Sequence, residues 1–150
     1  MARINLVDTV VGELCGSMGL PERPLDDQGR LRLRIGDTPV VLSYAGEPLE
    51  LLWLHVELGD VPEGLSAPRF LLKLGFECWC LNRMTITLDR AGSKAWGFTC
   101  IPVAELTLDR LDQVLKAMLA VAMPIRQRIL GGDFALPTPG DETSDEMLRV

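Results

Sequence analysis

Arg30-Leu31-Arg32-Leu33-Arg34-Ile35, then Gly36-Asp37, then Pro39-Val40-Val41-Leu42-Ser43-Tyr44, lays out the first two strands of a sheet and the turn between them. Arginine and aliphatic residues alternate through its first six positions. Successive side chains of an extended chain point to opposite faces, so a period of two marks a strand with one basic and one apolar face. Gly36-Asp37 turns the chain into a second strand, and Ala45-Gly46-Glu47-Pro48 turns it again into a third, Leu49 to Leu58. Connections this short join antiparallel neighbours, because a parallel pair needs a crossover of a dozen residues or more.

The third strand sorts its residues between two faces, Leu52, Leu54, Val56 and Leu58 on one and Leu51, Trp53, His55 and Glu57 on the other. If helices cover the leucine-rich set, the tryptophan-bearing set points outward and leaves Leu51 and Trp53 partly exposed. Exposed apolar patches on a protein surface mark contact with another chain. The other reading is a strand buried on both sides, under the first helix or a further subunit.

Working outward, helical spacing replaces strand spacing. Ile4, Val7, Val11, Leu14 and Met18 recur every three or four residues, as do Leu108, Leu111, Leu115, Met118, Ala122, Ile125 and Ile129. At 3.6 residues per turn each set forms one stripe. The first helix is expected from about Arg3 to Met18, ended by Gly19 and Pro21. The last is expected from a Thr107 cap to about Leu130, with a kink or break near Met123 because Pro124 lies inside it. A central helix begins near Pro68 behind a Ser66 cap. Phe70, Leu71, Leu74, Cys78 and Leu81 line one side of it, Leu72 and Phe76 broaden the stripe, and Trp79 lies further round. So apolar a helix is either deeply buried or covered on its other side by another copy of the chain. Strands at Met84–Asp89 and Ala95–Ile101 complete the order α-β-β-β-α-β-β-α, the mark of an α+β domain with an antiparallel sheet and flanking helices.

The 150 residues are 47% hydrophobic and carry a net charge of −6. Residues 131–150 hold five carboxylates against one arginine, net −4, which leaves −2 for the other 130. Residues 1–130 therefore read as the folded domain, and 131–150 as an acidic, disordered tail. An acidic chain is a poor nucleic-acid binder, since cations must displace counterions from phosphates. No apolar run reaches the ~18 residues of a membrane span, and Asp8 and Glu13 interrupt any signal-peptide core, so a cytoplasmic location is expected. Cys15, Cys78, Cys80 and Cys100 are too few and too scattered for a disulfide scaffold. The Cys78/Cys80 pair could hold metal only with Cys15, Cys100 or His55 beside it; its apolar context favours buried free thiols.

Catalytic residues are scarce. His55 is the single histidine, two residues from Glu57 on a strand, where neighbours at that spacing share a face without forming a proton relay. Gly12 and Gly16 sit within a helix and cradle no phosphate. The expectation is a protein that is not an enzyme and has no cofactor and no metal. Arg30, Arg32 and Arg34 make a basic stripe, either a solvated face or a partner-binding one.

The layout and particular residues over positions ~4–130 resemble the class I type III secretion chaperones, the family that includes the Tir chaperone. The resemblance rests on the first helix running into Gly19-Leu20-Pro21 and the Leu25-Asp26-Asp27-Gln28-Gly29 turn, and on the third strand with its Gly59-Asp60-Val61-Pro62 exit. It continues through Phe70-Leu71-Leu72-Lys73-Leu74-Gly75-Phe76, Ile86-Thr87-Leu88-Asp89 and Leu106-Thr107-Leu108-Asp109. Gly75 and Pro124-Ile125 depart from it, at positions where the family often has asparagine and an aromatic. The resemblance implies a cytoplasmic bacterial homodimer that binds N-terminal segments of secreted effectors, keeps them extended and delivers them for export, with the export-apparatus ATPase as a further partner. Such recognition would use strand addition and apolar hollows. The hollows are expected at Val7, Val11, Leu33, Val41, Leu51 and Trp53, and the dimer surface at Phe70, Leu74, Cys78, Trp96 and Phe98. The alternative is a small regulatory or adaptor protein that binds a folded partner.

Overall fold

The computed structural model describes residues 2–64 and 66–135. It contains α1 (Ala2–Ser17), β1 (Arg30–Ile35), β2 (Thr38–Ala45), β3 (Leu51–Asp60), α2 (Ser66–Asn82), β4 (Thr85–Leu88), β5 (Lys94–Pro102), a short 3-10 turn (Val103–Glu105) and α3 (Leu108–Leu130). The fold is α+β, in the element order read from the sequence. One antiparallel sheet runs β1-β2-β3-β5-β4. β3 is its centre, pairing with β2 in the register His55 to Val41 and with β5 in the register His55 to Phe98.

All three helices lie on one side of this sheet. Leu52, Leu54, Val56 and Leu58 of β3 are wholly buried on that side, where α3 lies across β3 and β5 and α1 packs beside α3. Val7, Val11, Leu14 and Cys15 of α1 and Leu111, Leu115, Met118, Ala122, Ile125 and Ile129 of α3 complete the core. The helix α2 packs against β4. A side chain at Gly75 would touch Ile86, which shares its sheet row with Gly97 and Val56, so α2 occupies the helix side as well.

Sequence signals set most of the boundaries. Gly19 takes φ +69 just past α1, a conformation that suits glycine. The Thr107 side chain accepts from the Arg110 amide at 3.1 Å and starts α3. The expected break at Pro124 does not occur: α3 runs without interruption to Leu130. Proline removes the bond to the carbonyl four residues earlier. That carbonyl belongs to Ala120, and both residues lie on the exposed side of the helix, open to solvent. The packed chain also extends past the expected boundary at 130. Phe134 meets the Phe70 ring edge-on at 5.8 Å, and Arg128 binds Asp133 and the Ala135 carbonyl. The rest of the expected disordered tail lies outside the described residues.

Gly59 closes β3 at φ +132, and a methyl group there would stand 2.9 Å from Ile129 Cγ2 of α3. Gly59→Ala adds backbone strain and a clash against a packed helix, so it should destabilise the fold by about 1–3 kcal/mol. Urea unfolding followed by circular dichroism will measure the shift in midpoint.

Candidate functional site

Among the described residues, one-sided packing leaves the other face of the sheet uncovered. Its residues follow from strand register, because directly opposed residues share a face. One row runs Arg32, Val41, His55, Phe98, Thr85, and the next runs Arg30, Ser43, Trp53, Cys100. Trp53 and Phe98 approach at 5.8 Å between ring centres and His55 and Phe98 at 6.1 Å, in an aromatic platform that is only half buried. Beside it is an open hollow of about 710 Å³, lined among others by Arg30, Arg32, Val41, His55, Glu57 and Trp96.

The hollow is charged unevenly. Lys94 Nζ donates to Glu57 Oε1 at 2.9 Å and lies 3.5 Å from Asp60, so the cation on the Trp96 side is already paired with carboxylates. On the β1 side, Arg30, Arg32 and Arg34 have no carboxylate partner among the described residues. His55 is held below the ordinary histidine range, first by burial and then by the nearby Arg30 guanidinium. Both influences favour its neutral form, and no carboxylate is bonded to it among the described residues. Groups of three or more histidine, cysteine or acidic side chains able to hold a metal are absent among those residues.

The β1 edge is open over a short length. Tyr44 donates to the Gly29 carbonyl at 2.8 Å, so residues 31, 33 and 35 turn their backbone groups toward β2. Arg30, Arg32 and Arg34 turn theirs outward. Those of Arg30 are taken by the preceding turn, its amide donating to Asp26 Oδ1 at 2.9 Å and its carbonyl accepting from the Asp26 amide at 2.8 Å. No bond reaches the outward groups of Arg32 and Arg34 among the described residues.

The structure redistributes the residues expected at binding surfaces. Leu33, Val41, Leu51 and Trp53 are half-buried and accessible, with Val41, Leu51 and Trp53 on the open face and Leu33 on the helix side of the β1 edge. Val7 and Val11 are 0% exposed and belong to the core between α1 and the sheet, so they line no accessible hollow. Phe70 and Cys78, at 1% and 3% exposure, likewise face inward from α2, and burial pushes the Cys78 thiol up to about 11. Leu74 is half-buried beside them. Trp96 and Phe98 sit on the open sheet face with Trp53, apart from α2. The solvent side of α2 carries instead Leu72, Phe76 and Trp79, exposed by 76%, 62% and 48%. Their spacing of four and three was a readable signal for an additional stripe. Arg83 lies over the Trp79 ring at 5.2 Å.

No family profile and no curated protein sequence matches the chain. Solved structures do. A chain of the ExsC–ExsE complex is 25% identical, with a TM-score of 0.70 over 81% of this chain and 91% of that one. A chain of the HopA1–SchA chaperone–effector complex is 17% identical, with a TM-score of 0.71 over 85% and 98%. The Yersinia pestis type III secretion chaperone SycH, solved with a stable fragment of YscM2, gives 16% identity and a TM-score of 0.59 over 79% and 98%. The chain has the class I type III secretion chaperone fold. The resemblance carried by its turns and leucine spacing is thereby borne out, and these neighbours are covered over nearly their whole length. No helix among the described residues is long and apolar enough to cross a membrane.

The depressed His55 pKa has a consequence for stability. The unfolded chain takes up a proton near the ordinary pKa of about 6.5, above the point where the folded chain does. Its contribution is therefore complete above pH 6.5 and declines as pH falls toward the folded value. Urea midpoints measured from pH 7.5 to 5 should fall more steeply for the native chain than for His55→Gln.

Proposed function

We propose that this protein is a cytoplasmic chaperone of bacterial type III secretion that holds the N-terminal segment of a secreted effector in extended form and hands it to the export apparatus, performing no catalysis of its own. The observation that carries the reading is the half-exposed aromatic and aliphatic face of a sheet whose reverse is fully packed, in the fold of proteins solved as chaperone–effector complexes. Extended segments suit such a surface. One part of the segment can add its backbone to the free β1 edge, while another part lays apolar side chains on Val41, Leu51, Trp53 and Phe98. Unfolded cargo loses conformational freedom on binding, so apolar contact must offset an ordering cost of several kcal/mol, roughly 2–5.

The working unit is a homodimer joined through the outer stripe of α2. Leu72, Phe76 and Trp79 present large apolar side chains in a single line, which the same helix of another copy would cover. The folded unit is the chaperone domain, residues 1–130 with the short Phe134 extension. The export-apparatus ATPase is the receiving partner.

Two substitutions separate the surfaces. Trp53→Asp should weaken capture of an effector's first ~100 residues, about one small domain in length, at least tenfold while light scattering still reports a dimer. Phe76→Glu combined with Trp79→Glu should yield a monomer. A chain that ignores every such fragment and captures a folded protein would be a regulatory adaptor instead.

A further inference from the structure

We infer that the free edge of β1 selects cargo strands with acidic residues at alternate positions, in an acid–apolar–acid pattern, and that Arg32 and Arg34 are the residues that determine this specificity. The inference rests on the strand-addition reading above and goes further by naming the chemistry of the strand.

Backbone geometry fixes the register. On β1, among the described residues, Arg32 and Arg34 alone offer unbonded outward amides and carbonyls, because the Asp26 turn occupies those of Arg30. An antiparallel strand docked there has one residue opposite each of these arginines and one opposite Leu33. Opposed residues share a face, so the first two place their side chains against the Arg32 and Arg34 guanidinium groups on the open side. The middle residue points to the helix side, where half-buried Leu33 forms an apolar ledge above Val40.

Charge completes the pattern. Arg32 and Arg34 are exposed and have no ion-pair partner among the described residues. Of the carboxylates close by in sequence, Asp26 accepts from the amides of Gln28 and Arg30 and Asp37 from the Thr38 hydroxyl, and Asp27 pairs with neither arginine. Glu57 is held by Lys94 across the hollow. A docked strand with lysine at either position would meet like charge, and one with carboxylates would supply the missing partners. Two such cross-strand pairs together correspond to about a tenfold preference.

The test uses the full chain and three blocked peptides, Thr-Val-Glu-Val-Glu-Val-Thr and its glutamine and lysine counterparts. Dissociation constants and amide shifts are measured in about 0.05 M salt, where charges act over roughly 10 Å or more. The expected result is binding of the glutamate peptide about tenfold tighter than the glutamine one, with the Arg32 and Arg34 amides shifted. In Arg32→Glu/Arg34→Glu, whose exposed changes leave the core untouched, the preference should pass to the lysine peptide. Equal binding of all three with the same amides shifted overturns the acidic preference and leaves strand addition standing. Shifts confined to other residues, or no binding at all, overturn docking at this edge. Effector-fragment capture by the same sample reports separately on the chaperone reading.

Discussion

β3 alternates between side chains sealed under α3 and side chains left to solvent, and the rest of the architecture follows from that division. Leu52, Leu54, Val56 and Leu58 bury fully against the helices, which anchors α3 and through it α1. The same pleat pushes Leu51, Trp53, His55 and Glu57 the other way. With three helices gathered on one side, nothing among the described residues covers the reverse. An outward face rich in aromatic carbon is thus the geometric counterpart of the core, and a substitution that improved one by shifting register by a residue would invert both.

How far the sequence discloses this arrangement depends on the element. Strands β1 to β3 were legible because strict alternation and short turns leave one topology, and the division of β3 between faces could be assigned residue by residue. The limits of α3 were legible from Thr107 and the glycines after Leu130, whereas Pro124 misled: whether a proline breaks a helix depends on whether water can reach the orphaned carbonyl, a tertiary matter. The central helix was the harder case. Phe70, Leu74 and Cys78 form a clear stripe, and so do Leu72, Phe76 and Trp79. Periodicity shows that stripes exist but is silent on which one meets the sheet.

The same limit explains Val7 and Val11. Valine on an amphipathic helix signals burial, but only the position of α1 shows that the covering partner is this chain's own core. Conversely, the bonds that leave Arg32 and Arg34 open depend on a turn at Asp26 folding back onto Arg30. No local pattern announces that a strand edge has been shortened in this way.

The arginines of β1 also govern how copies of the protein behave toward one another. An uncovered strand edge is a template for polymerisation, and cationic side chains are a recurrent safeguard against it. Two molecules meeting there antiparallel would set guanidinium against guanidinium at every contact on the open side. The β1 segment that can accept a guest strand is therefore closed to its own kind, which guards against fibres at high protein concentration. Concentrated salt shortens the reach of those charges to a few ångströms, roughly 3 Å at 1 M, so the safeguard is itself a property of the solution as much as of the chain.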